Sequence, residues 1–210
     1  MMMITLCAVA HAFHTASSIE PRSVLTRRSA VTAGLSLPGA RALRKLRGRG
    51  GASGPITAAE VEAAQDAWAA GVVHVGKVFS DGGDYAAEGK KVLDDLYGYA
   101  SGFDVLFKPT KAADPAVRLA EDECISYFVS REYGAKYKED NGFAITPWKK
   151  VRFDNKGTLL LADSATAMGE YYFTGTDGSE AKVEYTFQYR RADDGSLKIV
   201  VHHSSIPYKP

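Results

Sequence analysis

The chain has 210 residues, of which 26 are basic and 25 acidic, and its formal net charge is +1. Eight basic residues and one acidic residue fall within residues 1–54, which leaves residues 55–210 with a net charge of −6. A net acidic body argues against nucleic-acid binding, because phosphate contacts need a basic surface. The apolar fraction of 45% excludes a disordered chain. Two cysteines exclude both a disulfide scaffold and a zinc site built from paired cysteines.

Residues 1–54 are predicted to be a targeting leader and linker outside the folded domain. The apolar run over residues 1–10 is too short to span a bilayer, so no stable membrane insertion is expected. Ala10 and Ala12 then put small residues where a signal peptidase would cut, before Phe13. The stretch that follows is rich in Ser, Thr, Ala and Arg and almost free of acid, as in transit peptides. This two-part leader is similar to those of algae with secondary plastids, and it predicts import into the plastid.

Within the leader, Arg27 and Arg28 precede an uncharged stretch over residues 30–40. A twin-arginine signal of this kind would direct the protein to the thylakoid lumen. Two adjacent arginines also arise by chance in an Arg-rich transit peptide, and the protein would then stay in the stroma. The Gly-rich segment 48–55 is a flexible linker at the domain boundary, so residues 55–210 are predicted to form one domain with a sizeable core.

Hydrophobic periodicity predicts three helices and a short strand in the first part of this domain. Thr57 followed by Glu60 has the spacing of a helix capping box. Pro109 is expected to stop the strand, and Pro115 is expected in the first turn of the third helix. The predicted elements are helices over residues 57–76, 84–98 and 115–129 and a strand over residues 103–108.

From Lys149 onward, apolar residues alternate with a period of two, which predicts about four antiparallel strands. Three segments rich in Asp, Asn and Gly are expected to form the turns, at residues 154–157, 177–178 and 194–195. Helices followed by a strand meander indicate an α+β fold class. In this class the N-terminal helices pack on one face of a curved, mainly antiparallel C-terminal sheet.

The last hairpin predicts which side chains of the final strand point inward. If residues 194–195 form a two-residue turn, His202 and Ser204 lie opposite aromatic residues and point toward the helices. An odd-length loop would bring in His203 and Ser205 instead. The expected pairs are Phe187 with His202 and Tyr185 with Ser204.

In that register, Leu197, Ile199 and Val201 occupy the opposite face of the sheet. They make this face more apolar than a solvated surface favours, and an apolar surface patch is typical of an interaction site. The sequence therefore predicts a homodimer that packs through this face.

The segment 202–205 (His-His-Ser-Ser) is the most unusual in the chain, since four polar residues follow an apolar strand. Neighbouring strand residues point to opposite faces, so the two histidines do not ligate one metal together. The sequence lacks a phosphate loop, a nucleophile elbow and a dinucleotide fingerprint, and no cofactor or metal is predicted. Thr110 and Tyr127 are further hydroxyl-bearing candidates, and Cys124 is expected to be a buried small hydrophobe. The alternatives are a solvated strand end for the segment and a core position for the tyrosine.

Six short motifs follow one another along residues 56–208. They are Phe107-Lys108-Pro109-Thr110, Ser126-Tyr127-Phe128, Gly142-Phe143-Ala144-Ile145-x-Pro147-Trp148, Ala167-Met168-Gly169-x-Tyr171-x-Phe173, Val183-Glu184-Tyr185-Thr186-Phe187 and His202-His203-Ser204-Ser205-x-Pro207. In this order they resemble the iota-class carbonic anhydrases. That family shares the cone-shaped α+β fold of SnoaL-like proteins and of the calcium/calmodulin-dependent kinase II association domain.

The resemblance implies reversible hydration of carbon dioxide to bicarbonate, which several members of the family catalyse without a metal. It also implies a polar pocket for substrate and water, formed here by Thr110, Tyr127, His202 and Ser204. The hairpin register independently puts His202 and Ser204 inward. In such a pocket the side chains orient water toward carbon dioxide and donate hydrogen bonds to the bicarbonate oxygens. His202 is expected to accept or shuttle the proton near neutral pH.

Two other functions remain open, because a fold does not fix a function. An isomerase or cyclase for an apolar ring substrate would need a larger apolar pocket and a buried carboxylate, with Glu170 or Glu184 as candidates. A non-catalytic association domain would need an extensive interface and no polar pocket.

Overall fold

The computed structural model describes residues 54–130 and 136–210. The predicted leader lies outside the described residues, apart from Gly54 at its end, and it stays a prediction. The elements are α1 (Ala58–Ser80), α2 (Tyr85–Leu96), a 3-10 turn (Tyr99–Ser101), β1 (Leu106–Lys108), α3 (Glu121–Val129), β2 (Lys150–Leu160), β3 (Ser164–Thr174), β4 (Glu180–Arg191) and β5 (Leu197–Ser205).

The five strands form one mixed sheet, in which β1, β5, β4, β3 and β2 are neighbours in that order. β1 runs parallel to β5, and the other pairings are antiparallel. Buried side chains of α1, α2 and α3 form one core with a single face of the sheet, which we call the inner face. This arrangement confirms the α+β class. Over the same described residues, no helix is long and apolar enough to cross a membrane.

The first helix begins as the sequence predicts and ties itself to the sheet. The Glu60 N–H donates to the Thr57 hydroxyl at 3.3 Å, and the Thr57 N–H donates to the Glu60 carboxylate at 2.9 Å. These two bonds confirm the capping box. Glu60 also pairs with Arg191 of β4 at 2.7 Å. Further along α1, Trp68 is fully buried among aromatic residues of the sheet.

The third helix begins at Glu121, later than predicted, and Pro115 is not in its first turn. Arg118 instead pairs with Phe107 of β1, where each backbone N–H donates to the carbonyl of the other, at 3.0 and 2.7 Å. An extended segment bound to β1 in this way cannot be helical. The Glu123 carboxylate then accepts two backbone N–H groups just ahead of α3, at 2.9 and 3.2 Å, and caps the helix.

Residues 154–157, which were expected to form a turn, lie inside β2 as a β-bulge opposite β3. The side-chain amides of Gln65 and Asn155 exchange two hydrogen bonds of 2.9 Å, which hold the bulge against α1. Gly169 lies opposite, where an added Cβ would be 2.1 Å from a backbone carbonyl oxygen of the bulge. The connection between β2 and β3 is formed by residues 161–163.

The ladder between β4 and β5 confirms the predicted orientation of the last strand. His202 lies opposite Phe187, and Ser204 lies opposite Tyr185. Both polar residues are buried on the inner face, whereas His203 is exposed on the opposite, outer face. The structure thus decides between the two histidines that the sequence left open.

The turn that leads to this register differs from the predicted one. The Ala192 N–H donates to the Ser196 carbonyl at 2.9 Å, which closes a loop of odd length in place of a two-residue turn. An odd loop alone would turn His203 inward. A β-bulge at Val200 shifts the register back by one residue. Beyond the bulge, the effects of the odd loop and of the bulge on the strand register therefore cancel.

Between the loop and the bulge, the same shift makes the predicted faces of Leu197 and Ile199 wrong. Ile199 lies opposite Tyr189 and is only 1% exposed, and Leu197 packs against the core. Val201, beyond the bulge, stays on the outer face next to Leu106 of β1. The apolar stripe on which the homodimer was predicted is therefore mostly part of the core.

Candidate active site

A small cavity lies between α3 and the inner face of the sheet, next to the end of β1. Its volume is about 10 Å³, which is room for about one water-sized molecule. All four site residues predicted from the sequence line it, and their catalytic role stays a prediction. The lining residues are Phe107, Pro109, Thr110, Tyr127, Phe128, Phe143, Tyr171, His202 and Ser204.

The sheet topology explains why residues distant in sequence meet here. Phe107 of β1 lies beside His202 in the parallel pairing with β5, so the chain that leaves β1 carries Thr110 to the cavity. Alternation along β5 puts His202 and Ser204 on the same face. Tyr127 reaches the cavity from the buried side of α3.

Tyr171 lines the same cavity and is absent from the residues predicted from the sequence. It lies on the inner face of β3, and its hydroxyl is hydrogen-bonded to the Ser204 hydroxyl. The sequence does indicate that Tyr171 points inward, because it belongs to one of the six motifs and alternates with Phe173. Alternation does not show which inward aromatic side chain reaches the cavity, since that depends on the packing of α3 and β5.

A chain of hydrogen bonds leads from the core to the cavity. The Trp68 Nε1–H donates to the Tyr97 hydroxyl at 3.0 Å, and that hydroxyl lies 2.7 Å from His202 Nδ1. The other ring nitrogen, Nε2, lies 2.9 Å from the Ser204 hydroxyl oxygen. Tyr171 continues the chain through its bond to Ser204. Both ring nitrogens of the buried imidazole are therefore hydrogen-bonded, as burial requires.

His202 lies in an aromatic environment with little access for water. Its ring centroid is 4.2 Å from that of Phe187 and 5.0 Å from that of Phe107. Burial, with a smaller contribution from the charge of His203, lowers the pKa of His202 to about 3. The imidazole is therefore neutral at pH 7 and a weak proton acceptor, which argues against the expectation that it accepts or shuttles a proton near neutral pH.

The tyrosine hydroxyls at the cavity keep their protons at neutral pH. Burial raises the pKa of Tyr127, and hydrogen bonds from the Lys111 backbone and the Thr110 side chain offset part of that rise. Burial also raises the pKa of Tyr171, against a smaller opposing effect of Ser204. These hydroxyls can therefore donate hydrogen bonds without ionising.

A larger cavity of about 270 Å³ adjoins the small one. Thr110, Tyr127 and Phe143 line both, and the larger cavity extends to the exposed residues Lys111 and Asn141. Because the two cavities share lining residues, the larger one is the candidate route for a small molecule between solvent and the small cavity.

Comparison with known proteins identifies the family of this chain. The family model described as metal-independent carbonic anhydrase matches residues 59–206. The chain belongs to this family. The resemblance to the iota-class carbonic anhydrases that the six motifs indicate is thereby confirmed.

Relatives of this carbonic anhydrase cover most of the described domain. The metal-independent carbonic anhydrase of Nostoc sp. is 38% identical over 157 residues, which are 73% of this chain and 75% of that protein. An iota-class carbonic anhydrase from a cyanobacterium, crystallised with bicarbonate, is 35% identical with a TM-score of 0.70. That match covers 84% of this chain and 100% of the other. A calcium/calmodulin-dependent protein kinase II association domain from Xanthomonas campestris has 23% identity and a TM-score of 0.43, over 74% and 91% of the two chains.

The carboxylates considered for an isomerase or cyclase lie on the outer face of this carbonic anhydrase, away from the small cavity. Hydrogen bonds from Tyr172 and Lys182 lower the pKa of Glu170 to about 2. Glu184 accepts a hydrogen bond from the Ser205 hydroxyl at 3.1 Å. Neither is the buried carboxylate that such an enzyme needs, so the structure does not support this alternative.

The described ranges contain no group of three or more His, Cys, Asp or Glu side chains that could hold a metal ion. Cys124 is buried within α3, as predicted, and burial raises the pKa of its thiol. A thiol in this state is a poor metal ligand, because the thiolate is the form that binds.

Proposed function

We propose that this carbonic anhydrase joins carbon dioxide and water to form bicarbonate at the small cavity, where it meets the larger one. Interconversion of carbon dioxide and bicarbonate is the activity of the family to which the chain belongs. One observation supports this location above others, which is the convergence of polar side chains from three elements and the loop after β1 on one small cavity. These side chains are Thr110, Tyr127, Tyr171, His202 and Ser204.

The hydroxyl groups act as hydrogen-bond donors to oxygens that become negative during the reaction. The water oxygen adds to the carbon of carbon dioxide, one C=O bond becomes a C–O⁻ bond, and one proton leaves. Tyr127 and Tyr171 stay protonated at neutral pH, so they can stabilise the developing charge. Thr110 and Tyr127 line both the small and the larger cavity, so water and carbon dioxide can lie side by side where the two meet, which supplies the advantage of proximity.

The released proton leaves by way of the larger cavity. Of the described side chains that line the small cavity, those that titrate are His202, Tyr127 and Tyr171, and burial moves each pKa away from neutrality. Water or a buffer molecule in the larger cavity is therefore the better acceptor for the proton.

Two matched pairs of variants test this function by stopped-flow hydration of carbon dioxide. Ser204→Ala and Tyr171→Phe each remove one of the two linked hydroxyls at the cavity and leave the other without the partner that orients it, so each should lower kcat about 100- to 1000-fold. Ser205→Ala and Tyr172→Phe change the next residues along the same strands, which point to the outer face, and should keep nearly full activity. Equal losses within a pair, in variants that melt like the wild type, would contradict the proposed site.

We also propose a homodimer that packs through the outer face of the sheet. Leu197 and Ile199 do not support it, but other apolar side chains on this face do. Met168 is 56% exposed and Leu106 is 50% exposed, and Val201 lies between β1 and β4 on the same face. Covering these side chains would remove apolar surface from water.

We propose, finally, that residues 1–54 direct the protein to the plastid. The supporting observation is the composition of the segment, with eight basic residues, one acidic residue and many Ser, Thr and Ala. Delivery to the lumen, rather than the stroma, depends on whether Arg27 and Arg28 act as a twin-arginine signal.

A further inference from the structure

The hydrogen bonds behind the cavity have a fixed direction. Trp68 and Tyr97 are fully buried and His202 is nearly so. The indole N–H of Trp68 can only donate, so the Tyr97 oxygen is the acceptor in their 3.0 Å bond. In the described part of the chain, the remaining partner of the Tyr97 hydroxyl is His202 Nδ1, at 2.7 Å. A buried hydroxyl proton without an acceptor is costly, so Tyr97 donates its proton to Nδ1.

We propose that Trp68 and Tyr97 are positioning residues that hold His202 with its proton on Nε2, and that this tautomer supplies the cavity with a hydroxyl donor. The catalytic part of this inference rests on the proposed function of the cavity. When Nδ1 accepts from Tyr97, a neutral imidazole carries its proton on Nε2. That N–H then donates to the Ser204 hydroxyl oxygen, 2.9 Å away.

The tautomer decides how many hydroxyl hydrogens remain for the cavity. Ser204 and Tyr171 together have two hydroxyl hydrogens and share one hydrogen bond. When His202 donates to Ser204, one of these hydrogens fills the shared bond and the other is left for the cavity, where the Thr110 hydroxyl also lies within hydrogen-bond reach of Tyr171. In the reversed chain, Ser204 donates to His202 and Tyr171 donates to Ser204, so neither hydrogen is left.

The donor arrangement matches the charge that forms during hydration. A hydroxyl hydrogen aimed at the cavity stabilises an oxygen that becomes negative, whereas a reversed chain would turn only lone pairs toward it. The reversed chain would also leave the Tyr97 proton buried without an acceptor. Through Tyr97 and His202, Trp68 therefore determines whether Ser204 and Tyr171 have a hydroxyl hydrogen left for the substrate.

Long-range ¹H–¹⁵N NMR on the full-length protein, labelled at histidine, measures the tautomer without changing the protein. His202→Gln identifies the signals of His202 by their loss. In the wild type at neutral pH, we expect a protonated Nε2 and an unprotonated Nδ1. A proton on Nδ1, or on both nitrogens, would overturn the inference.

Tyr97→Phe tests the positioning role, because it keeps the ring and removes the donor to Nδ1. His202 should then lose its preference for the Nε2–H form, and kcat should fall about 100-fold as the cavity loses one donor. Tyr99→Phe is the matched control, since Tyr99 stacks on Tyr97 and its hydroxyl makes none of these hydrogen bonds. An Nε2–H form that persists unchanged in Tyr97→Phe would overturn the inference.

The two readouts separate the inference from the proposed function. A changed tautomer with an unchanged kcat in Tyr97→Phe would uphold the positioning of His202 and overturn the assignment of the cavity as the reaction site. Trp68→Phe frees Tyr97 to accept from the ring, so a mixture of tautomers is expected. A ring that stays wholly in the Nε2–H form in that variant would remove Trp68 from the positioning role.

Discussion

Burial determines what each side chain at the cavity can contribute. It lowers the pKa of His202 and raises those of Tyr127 and Tyr171, so these groups can form hydrogen bonds without exchanging protons at neutral pH. In zinc-dependent carbonic anhydrases the metal lowers the pKa of bound water to about 7. In the mechanism proposed for this member of a metal-independent family, the side chains of the cavity supply position and hydrogen-bond donors instead.

The neutral state of His202 predicts a pH dependence of stability. A histidine of the unfolded chain titrates at about 6.5, whereas the pKa of folded His202 is about 3. The folded state therefore binds fewer protons between these two values. The free energy of unfolding should be greatest above about pH 6.5 and fall below it, and His202 contributes at most about 1.4 kcal/mol per pH unit to that fall. Urea unfolding between about pH 7 and 5 measures this slope.

Titration of carboxylates does not obscure the pH dependence of the free energy of unfolding that comes from His202. The pKa values of Glu60, Glu123 and Glu170 are lowered to about 2 by hydrogen bonds, so their stabilisation is lost only below about pH 4.5. His202→Gln should flatten the slope, while His203→Gln, on the exposed outer face, should leave most of it. A wild-type slope of zero would contradict a buried neutral imidazole.

Single residues of the site were predictable where a motif or an alternation marks them. Thr110 and Tyr127 rest on the family motifs, and alternation along β5 adds an independent reason for His202 and Ser204. The bonds of Trp68 and Tyr97 to the site were not predictable, because helical periodicity indicates that a residue is buried but not which polar atom it meets.

At the scale of elements, alternation predicts strands and faces but not their irregularities. The composition of residues 154–157 favours a turn, yet the amide of Gln65 holds the same residues in a bulge. The odd loop before β5 and the bulge at Val200 each shift the strand pairing by one residue. The two shifts cancel at His202, beyond the bulge, but not at Ile199, before it. Bulges of this kind depend on partners far away in sequence, which a local pattern does not contain.

The bulge in β2 predicts opposite outcomes for two glycines that lie close to it. Gly169→Ala would bring a Cβ within 2.1 Å of a backbone oxygen, so it should lower the free energy of unfolding by about 1–3 kcal/mol. Gly157→Ala meets no atom within 4 Å and should leave stability unchanged or slightly raised. Urea unfolding of both variants measures the difference, and equal stabilities would show that the bulge is not packed as described.

At the scale of the whole molecule, Leu197 and Ile199 belong to the core, so a test of the homodimer must substitute another residue of the outer face. Met168→Glu puts a charge on the outer face and should shift the protein from dimer to monomer, because an unpaired charge is costly in an interface. Leu119→Glu changes an equally exposed residue outside the sheet and should leave the dimer intact. Sedimentation velocity distinguishes the states, and a monomeric wild type would contradict the dimer.

Ile199→Glu is informative for a different reason than the sequence suggests. Its side chain is buried in the core of one chain, so a charge there should unfold the protein rather than separate two folded copies. Soluble, folded monomers of this variant would mean that Ile199 lies at the interface after all. Thermal melting followed by circular dichroism separates the two outcomes.

The division of charge at residue 54 predicts that the first 54 residues are sufficient for import. A fluorescent protein fused to residues 1–54 should accumulate in the plastid of an alga with secondary plastids, because an acid-poor, Arg-rich segment is typical of transit peptides. Changing Arg27 and Arg28 together to Lys keeps the charge but removes a twin-arginine signal. If that signal acts, the variant should remain in the stroma while the parent fusion reaches the lumen. Changing Arg44 and Arg47 to Lys is the control of equal charge, and cytosolic fluorescence of the parent fusion would contradict plastid targeting.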